Sequence, residues 1–262
     1  MKAGFIQFRP VLGNQDENIK SLGKLLMQAQ GADLIVIPEL ANSGYNFESK
    51  EQAFEQAEEI GNSKFVEFLE EEAQKNKLHI VSGINEKEAG KIYNTSVLVG
   101  PQGYIGKYRK IHLFMNEKDF FERGNLGLPV FDLGFCKMGM LICFDWIFPE
   151  VWRILALKGA DVICHPSNLV LPYAQQAVPV HGMINRTFNI TANRFGMERD
   201  ITFSGKSIIS DPLGKTLKMA SSDKDEVMIA DIDLLLARDK MVTTRNHIME
   251  DRIPSEYGEL TE

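Results

Sequence analysis

A cysteine, a glutamate and a lysine each close or nearly close an apolar stretch of this sequence. Cys143 ends the run GMLIC, Glu39 ends LIVIPE, and Lys110 lies near the end of YIGKYRK. Active sites of α/β proteins gather at the ends of buried strands. The carboxylate can act as general base to the thiol and then as general acid to an amine leaving group. The ammonium can favour the thiolate and stabilise an oxyanion, and neither task needs a metal or an organic cofactor.

Taken singly, each of these three residues also has an ordinary structural interpretation. Free cysteines are among the most buried residue types, and most are inert. Glu39 could form a satisfied ion pair, because buried carboxylates are normally paired, and Lys110 could point outward from an edge strand. Their shared position at strand ends is what favours catalysis. The remaining cysteines, Cys136 and Cys164, lie within strand runs and are assigned to the core.

The hydrophobic pattern predicts the elements that must position these residues. Strands alternate with helices but hairpins also occur, so the fold class is α/β with a mixed sheet. The pattern does not give the order of the strands in that sheet. Asn14 with Glu17 is an N-capping pattern for the helix that follows. Pro179 should interrupt the helix within 168–188. Residues 197–204 should form an exposed loop. Predicted strands lie at 3–8, 32–39, 78–86, 91–100, 104–113, either side of Gly134, 160–167, 189–196, 205–212, 215–220 and 226–233, and predicted helices at 15–30, 49–60, 62–76, 149–158, within 168–188 and at 234–241.

The composition is that of an ordinary globular protein. Hydrophobic residues make up 44% of the chain and charged residues 25%, and no linker divides it, so we expect one domain over 1–262. A net charge of −7 argues against a general nucleic-acid binder. No apolar run approaches membrane-spanning length and no signal peptide is evident. Three cysteines without CxxC spacing predict neither a disulfide framework nor a zinc site, and favour a reducing, cytoplasmic location.

Six segments carry a resemblance to a known family. They are LIVIPEL around Glu39, KYRKIHLF around Lys110, GMLICFDWIFPE around Cys143, and then GADVICHPSN, INRTFNITANRFG and FSGKSIISDPLG. In this order, over almost the whole chain, they resemble the nitrilase superfamily of carbon–nitrogen hydrolases. The resemblance implies a four-layer α-β-β-α sandwich with two mixed β-sheets. It also implies a catalytic Glu-Lys-Cys triad that falls on Glu39, Lys110 and Cys143, without a cofactor.

The resemblance implies further site residues and an assembly. A second active-site glutamate usually follows the lysine by seven residues, and this position is Glu117. Family members usually pair through their sandwiches into homodimers or larger assemblies and exchange C-terminal tails, a role that 243–262 could serve. In the implied mechanism Cys143 attacks an amide-type carbonyl and forms a thioester, while the ammonium of the triad and the backbone N–H of Phe144 hold the oxyanion.

The two residues after the cysteine favour an amide over a nitrile substrate. Phe144-Asp145 stands where nitrile-cleaving members often have Trp-Glu, whereas amidase and carbamoylase branches more often carry the aspartate. We therefore expect a small amide or N-carbamoyl substrate, with small nitriles as the alternative. Only Arg194 and Arg199 could clamp a carboxylate, if the fold brings them close. Candidates for substrate contact in the pocket wall are Phe144, Tyr45, Phe47, Phe114, Trp146 and Asn168.

Two other classes of protein are weaker fits to this sequence. A non-catalytic interaction protein could use the same scaffold, but the presence of all three triad residue types argues against it. A thiol-dependent dehydrogenase or redox protein is the other alternative. Neither a GxGxxG motif after a strand nor a second nearby cysteine supports it.

Overall fold

The strands of this chain form two six-stranded β-sheets and one separate two-stranded hairpin within residues 1–261, which the computed structural model describes. Short turns and crossover helices connect them. In chain order the strands are β1 (Lys2–Gln7), β2 (Leu34–Val36), β3 (His79–Glu88), β4 (Lys91–Gly100), β5 (Gly103–Arg109), β6 (Val130–Asp132), β7 (Lys137–Met140), β8 (Val162–Ser167), β9 (Phe188–Asn193), β10 (Phe195–Glu198), β11 (Ile201–Ser204), β12 (Ile208–Ser210), β13 (Thr216–Met219) and β14 (Glu226–Asp231).

Both large sheets are mixed, and they share one pairing pattern. The first has the order β14-β1-β2-β3-β4-β5, and the second has the order β6-β7-β8-β9-β12-β13. Read in these directions, each begins with an antiparallel pair, continues with two parallel pairs and ends with two antiparallel pairs. The prediction of two mixed sheets is therefore confirmed, and the two halves of the sandwich repeat one topology.

The helices cover the outer faces of the two sheets. Asn14 caps the first helix by accepting the Glu17 N–H at 3.2 Å, as its spacing predicts. No helix within residues 1–261 is both long and apolar enough to cross a lipid bilayer. The α-helices are α1 (Gln15–Leu26), α2 (Lys50–Glu55), α3 (Lys64–Asn76), α4 (Glu117–Phe120), α5 (Pro149–Leu157), α6 (Ala174–Asn185) and α7 (Leu235–Arg238), with 3-10 turns at Met27–Ala29, Ile60–Asn62, Cys143–Ile147, Pro254–Glu256 and Gly258–Thr261.

Each sheet buries both of its faces, which explains why its central strands are continuously apolar. On β2, Leu34 and Val36 point into the core between the sheets, whereas Ile35 points into the core beneath α1 and α3. On the other side, Trp152 of α5 and Val178 of α6 pack on the second sheet. The result is the four-layer α-β-β-α sandwich that the resemblance implies.

Two local predictions were wrong. Pro179 lies inside α6 without ending it; a proline removes only one helical hydrogen bond, and the buried neighbours Val178 and His181 hold this helix to the sheet. The stretch expected as a loop after residue 196 is largely the β10–β11 hairpin. Its turn has Arg199 at φ +54°, and without the Asn-Gly pair typical of such turns its signal was missing.

Gly83 of β3 forms the backbone hydrogen bonds that fix the chain on either side of Glu39. Its N–H donates to the Pro38 carbonyl, and its carbonyl accepts the Ala41 N–H, both at 3.0 Å. A β-carbon at Gly83 would overlap the Glu39 backbone. Only glycine therefore permits so close an approach.

Replacing Gly83 with alanine should destabilise the fold and displace Glu39. Overpacking of this kind costs about 1–3 kcal/mol, and each kcal/mol lowers Tm by roughly 2–4 °C in a chain of this size. Differential scanning calorimetry of Gly83→Ala measures the loss. Gly61→Ala is the matched control, because a β-carbon there meets nothing within 4 Å; equal Tm values for the two variants would contradict the assignment.

Candidate active site

A buried lysine between two carboxylates forms the centre of the site. The Lys110 ammonium lies 2.8 Å from Glu39 Oε1 and 2.8 Å from Glu117 Oε1. All three side chains are buried, with Lys110 only 1% exposed. Burial alone would lower the pKa of Lys110, but the charges of Glu117 and Glu39 outweigh it and raise that pKa above its usual value. The lysine is therefore a permanent cation at this position.

The carboxylate of Glu39 has one engaged oxygen and one free oxygen. Oε1 accepts hydrogen bonds from Lys110 and from Asn94 Nδ2, the latter at 2.6 Å. Oε2 is buried without a hydrogen-bond partner among the described residues. The Glu39 backbone is fixed as well, because Asn168 Nδ2 donates to its carbonyl at 3.0 Å. A buried carboxylate oxygen without a donor is well suited to accept a proton.

Cys143 lies on a sharp turn between β7 and α5. Its φ of +42° is in the left-handed region, which is uncommon for a residue with a β-carbon and is kept only where surrounding contacts enforce it. The 3-10 turn that begins at Cys143 follows β7 closely. The buried thiol keeps 5% exposure, and it faces a small chamber rather than bulk solvent.

Asp145 ties this turn to the strand end that carries the lysine. Its carboxylate accepts the Ile142 N–H at 2.9 Å and the Tyr108 hydroxyl at 2.8 Å. His112 Nδ1 lies 2.7 Å from the other oxygen, and because an ionised carboxylate only accepts, Nδ1 carries the proton. Tyr108 and His112 flank Lys110 in sequence, so one buried carboxylate sets the distance between the cysteine and lysine segments.

Two buried histidines hold the carbonyls of the same turn. His165 Nε2 lies 2.8 Å from the Cys143 carbonyl oxygen, and His181 Nε2 lies 3.0 Å from that of Trp146. Burial lowers the pKa of His165 to about 4, so the ring is neutral and donates through Nε2–H. His181 stacks on Trp152 with ring centroids 4.8 Å apart. These contacts fix the backbone of the turn that contains Cys143.

The thiol of Cys143 is not a preformed thiolate. Burial raises its pKa well above the usual value, the charge of Glu39 raises it further, and Lys110 opposes the shift without reversing it. The expectation that the ammonium favours the thiolate is thus right in sign, but burial and the nearby carboxylate dominate. Attack by this sulfur therefore requires a base that removes the proton as the bond forms.

Glu117 is held from three directions. Besides Lys110, its carboxylate accepts the Tyr45 hydroxyl at 2.7 Å and the Phe114 N–H at 3.2 Å. Burial raises the pKa of Glu117 to about 6, against the opposing effect of the Lys110 ammonium. The residue is therefore an anion at neutral pH and becomes protonated in mildly acidic solution.

Four of the six pocket residues singled out by sequence line a cavity with the cysteine, and the other two, Tyr45 and Phe47, line a neighbouring cavity. Phe114, Phe144, Trp146 and Asn168 line an inner chamber with Cys143. Its volume is about 10 Å³, which is about the space of one water molecule. The chamber shares Phe114 and Val170 with an outer cavity of about 280 Å³. That outer cavity is lined by Tyr45, Asn46, Phe47, Phe114, Met115, Asn116, Glu117, Phe120, Phe121, Val170, Asp200, Ile201 and Thr202.

Neither arginine considered as a carboxylate clamp lines these cavities. Arg194 is buried against Glu198 at 2.9 Å and stacks on Phe203. Arg199 pairs with Glu48 at 3.0 Å on the outside of the hairpin. Each guanidinium is therefore already neutralised by a carboxylate.

Sequence reasoning missed the residues that position the site. Asn94 and His165 are polar residues within apolar strand runs, a signal that could have identified them as buried hydrogen-bonding groups. The outer-cavity residues Asp200 to Thr202 were hidden by the missed hairpin. Within residues 1–261 no group of three or more histidine, cysteine, aspartate or glutamate side chains could hold a metal ion.

Comparison with known proteins identifies the class of enzyme. The family model described as carbon-nitrogen hydrolase matches residues 2–240. A protein named nitrilase from Pyrococcus abyssi is 49% identical over 98% of this chain and 99% of its own length. An (R)-stereoselective amidase from a Pseudomonas species is 32% identical over 90% of this chain and 87% of its own length.

A solved structure agrees with these relatives. The carbon-nitrogen hydrolase from Helicobacter pylori G27 superposes with a TM-score of 0.91 at 28% identity, covering 100% of this chain and 98% of that one. The chain belongs to the carbon–nitrogen hydrolase family, enzymes that act on amides or nitriles. The alternatives of a non-catalytic interaction protein and of a redox protein are thereby left without support.

Removing the Tyr45 hydroxyl should make the enzyme more sensitive to acid. The hydrogen bond from Tyr45 lowers the pKa of Glu117, so Tyr45→Phe raises that pKa and the carboxylate is protonated at a higher pH. Since anionic Glu117 holds Lys110, activity present above the pKa is lost as pH falls through it. The acid limb of kcat/KM should lie near pH 6 in the wild type and move upward in the variant.

A pH profile of kcat/KM from pH 4.5 to 9 checks this expectation. Tyr104→Phe is the control, because Tyr104 is 41% exposed and lies outside both cavities. Coincident acid limbs for all three proteins would show that the Tyr45 hydrogen bond does not tune Glu117.

Proposed function

We propose that this enzyme hydrolyses small amides or N-carbamoyl compounds through a thioester on Cys143. The observation that carries the proposal is the half-engaged carboxylate of Glu39. Lys110 and Asn94 hold one oxygen, while the other is buried without a partner among the described residues. The charges of Glu39 and Lys110 both act on the Cys143 thiol, which supports their joint action on that sulfur.

In the first half of the reaction, Glu39 accepts the thiol proton as the sulfur of Cys143 bonds to the substrate carbonyl carbon. The Lys110 ammonium and the Phe144 N–H stabilise the resulting oxyanion. Each donor aimed at the oxyanion contributes roughly 2.7–4 kcal/mol, by analogy with measured deletions. The C–N bond then breaks, Glu39 returns its proton to the departing ammonia or amine, and a thioester remains.

In the second half, Glu39 takes a proton from water as the water oxygen attacks the thioester carbon. The same donors hold the second oxyanion, the C–S bond breaks, and Glu39 returns the proton to sulfur. Glu117 keeps Lys110 in position and orients the substrate beside Phe114. Because the thiol starts protonated, the base is needed in both halves.

Nitrile hydrolysis is the second candidate, and the name of one relative favours it. The nitrilase-named protein of Pyrococcus abyssi shares 49% identity with this chain. A nitrile would add the thiol to give a thioimidate, and water would then release ammonia and leave the same thioester. Asp145 favours the amide, because amidase and carbamoylase branches more often carry an aspartate two residues after the catalytic cysteine.

Cys143→Ala should abolish turnover of every substrate. A panel of small amides, N-carbamoyl compounds and small nitriles, assayed by ammonia release, tests the reaction and distinguishes the two candidates. Intact-protein mass spectrometry of the wild type, quenched in acid during turnover, should detect an acyl adduct, and Glu39→Gln should show none because the base is needed in both halves. Hydrolysis by Cys143→Ala at the wild-type rate would refute the assignment of the nucleophile.

Cys136→Ala is the control for this experiment. Cys136 is also a buried thiol, and burial raises its pKa to about 12, but it lies outside both cavities. It should keep wild-type activity. A wild type that is inactive toward the whole panel would overturn the proposed substrate classes.

We further propose a single domain over 1–262 that pairs into a homodimer in a reducing, cytoplasmic compartment. An apolar cavity of about 480 Å³ lies between α5 and the tail, lined in part by Ile154, Leu157 and Tyr257. Ile154 and Leu157 are 39% and 43% exposed, and exposed apolar patches of this kind mark protein contacts. The tail 243–262 could exchange between subunits there, although its last residue, Glu262, lies outside the described residues.

Leu157→Glu should weaken this association. A carboxylate in a largely apolar interface is costly, so size-exclusion chromatography with light scattering should show a shift toward the monomer. Leu213→Glu is the control, since Leu213 is 57% exposed and lies at the β12–β13 turn. A monomeric wild type would refute the dimer.

A further inference from the structure

The outer cavity contains no cationic side chain among the described residues that line it. Aromatic and aliphatic groups form most of its wall, from Tyr45 and Phe47 on one side to Ile201 on the other. A carboxylate entering this space would lose its water without gaining a partner, which is costly. The cavity shares Phe114 and Val170 with the chamber at Cys143, so it adjoins the thiol and offers space for the acyl part of a substrate.

The charges that do face this cavity are negative. Lys110 is enclosed by Glu39 and Glu117, so its charge is already matched by two carboxylates. Asp200 lies at the rim, where Asn46 Nδ2 donates to Oδ1 at 2.8 Å. That hydrogen bond lowers the pKa of Asp200, and the side chain remains ionised and exposed.

Four other cationic side chains, on neighbouring segments, pair with carboxylates or line a different cleft. Arg199, the neighbour of Asp200 in sequence, pairs with Glu48, and Arg194 pairs with Glu198. Lys118 and Arg123 line a different cleft, together with His112 and Phe148. That cleft shares Phe144 with the inner chamber but shares no residue with the outer cavity.

We propose that the outer cavity selects substrates by charge: it accepts amides with a neutral acyl chain or with a distal ammonium group that contacts Asp200, and it rejects amides with a distal carboxylate. The inference rests on the proposed amide hydrolysis and adds the substrate class. Asp200 is the residue that determines the preference for the cation, and the apolar wall determines the rejection of the anion.

Three amides with the same number of carbon atoms test this selection. Pentanamide, 5-aminopentanamide and the monoamide of glutaric acid each have five carbons and end in a neutral methyl, an ammonium and a carboxylate group, and the corresponding six-carbon series covers a longer reach. We expect kcat/KM to be highest for the ammonium compound and at least about tenfold lower for the carboxylate than for the neutral amide. The preference for the cation over the neutral amide should be about two- to fivefold, as an exposed ion pair allows, and should fall at high salt.

Two variants and a matched control assign the preference to Asp200. Asp200→Asn should reduce the ratio of kcat/KM for the ammonium compound to kcat/KM for the neutral amide to about one and remove its salt dependence. Asp200→Lys should raise the corresponding ratio for the carboxylate compound. Asp119→Asn removes another exposed carboxylate, on the neighbouring α4 and outside the lining of all three cavities. It should leave both ratios as in the wild type.

The outcomes separate this inference from the proposed function. If pentanamide is hydrolysed, Cys143→Ala is inactive, and the carboxylate compound is nevertheless cleaved as fast as pentanamide, the charge selection is wrong while amide hydrolysis stands. If Arg123→Gln then lost cleavage of the carboxylate compound, that compound would bind in the cleft lined by Lys118 and Arg123. If the wild type cleaves none of the amides, the inference fails, and if it also cleaves no N-carbamoyl compound, the proposed function fails with it.

Discussion

The burial of one lysine constrains the rest of this structure. A lysine ammonium that is only 1% exposed requires partners, because an unpaired charge in the interior costs several kcal/mol or shifts its pKa until it is neutral. Lys110 has two carboxylate partners at 2.8 Å. One comes from the end of β2 and the other from α4, so the ion cluster joins segments that are distant in sequence. Removing either carboxylate would still leave the ammonium paired with the other, whereas removing Lys110 would leave two buried carboxylates without their shared cation.

The contacts that stabilise this cluster also leave one carboxylate oxygen free to accept a proton. Two carboxylates around one ammonium leave one oxygen of Glu39 without a donor among the described residues, which suits that oxygen to accept a proton. Burial raises the pKa of the Cys143 thiol, so attack by this sulfur would need such a base. The left-handed turn at Cys143 is held by Asp145 and His165, whose contacts reach the lysine strand and the neighbouring strand of the second sheet.

Much of this arrangement could be predicted because its signals are local. Apolar runs that end in Glu39 and Cys143 mark buried strands followed by polar side chains, and these runs require only neighbouring residues to be recognised. The hairpin β10–β11 was missed because its turn uses Arg199 rather than glycine, and Pro179 was overinterpreted because packing of α6 outweighs one lost hydrogen bond. Asn94 was overlooked because an amide in a strand has no distinctive spacing.

By itself, the sequence determined the residue types of the proposed nucleophile, base and cation, their position at the ends of apolar runs, and the resemblance to the family to which the chain belongs. Only the tertiary structure decided which charges meet. Lys110 and Glu39 are 71 residues apart in sequence, and Arg194, equally plausible as a ligand of substrate, pairs instead with Glu198. The reason is physical: the pairing of a charge depends on distance and burial across packed sheets, and neither is encoded in the spacing of residues along the chain.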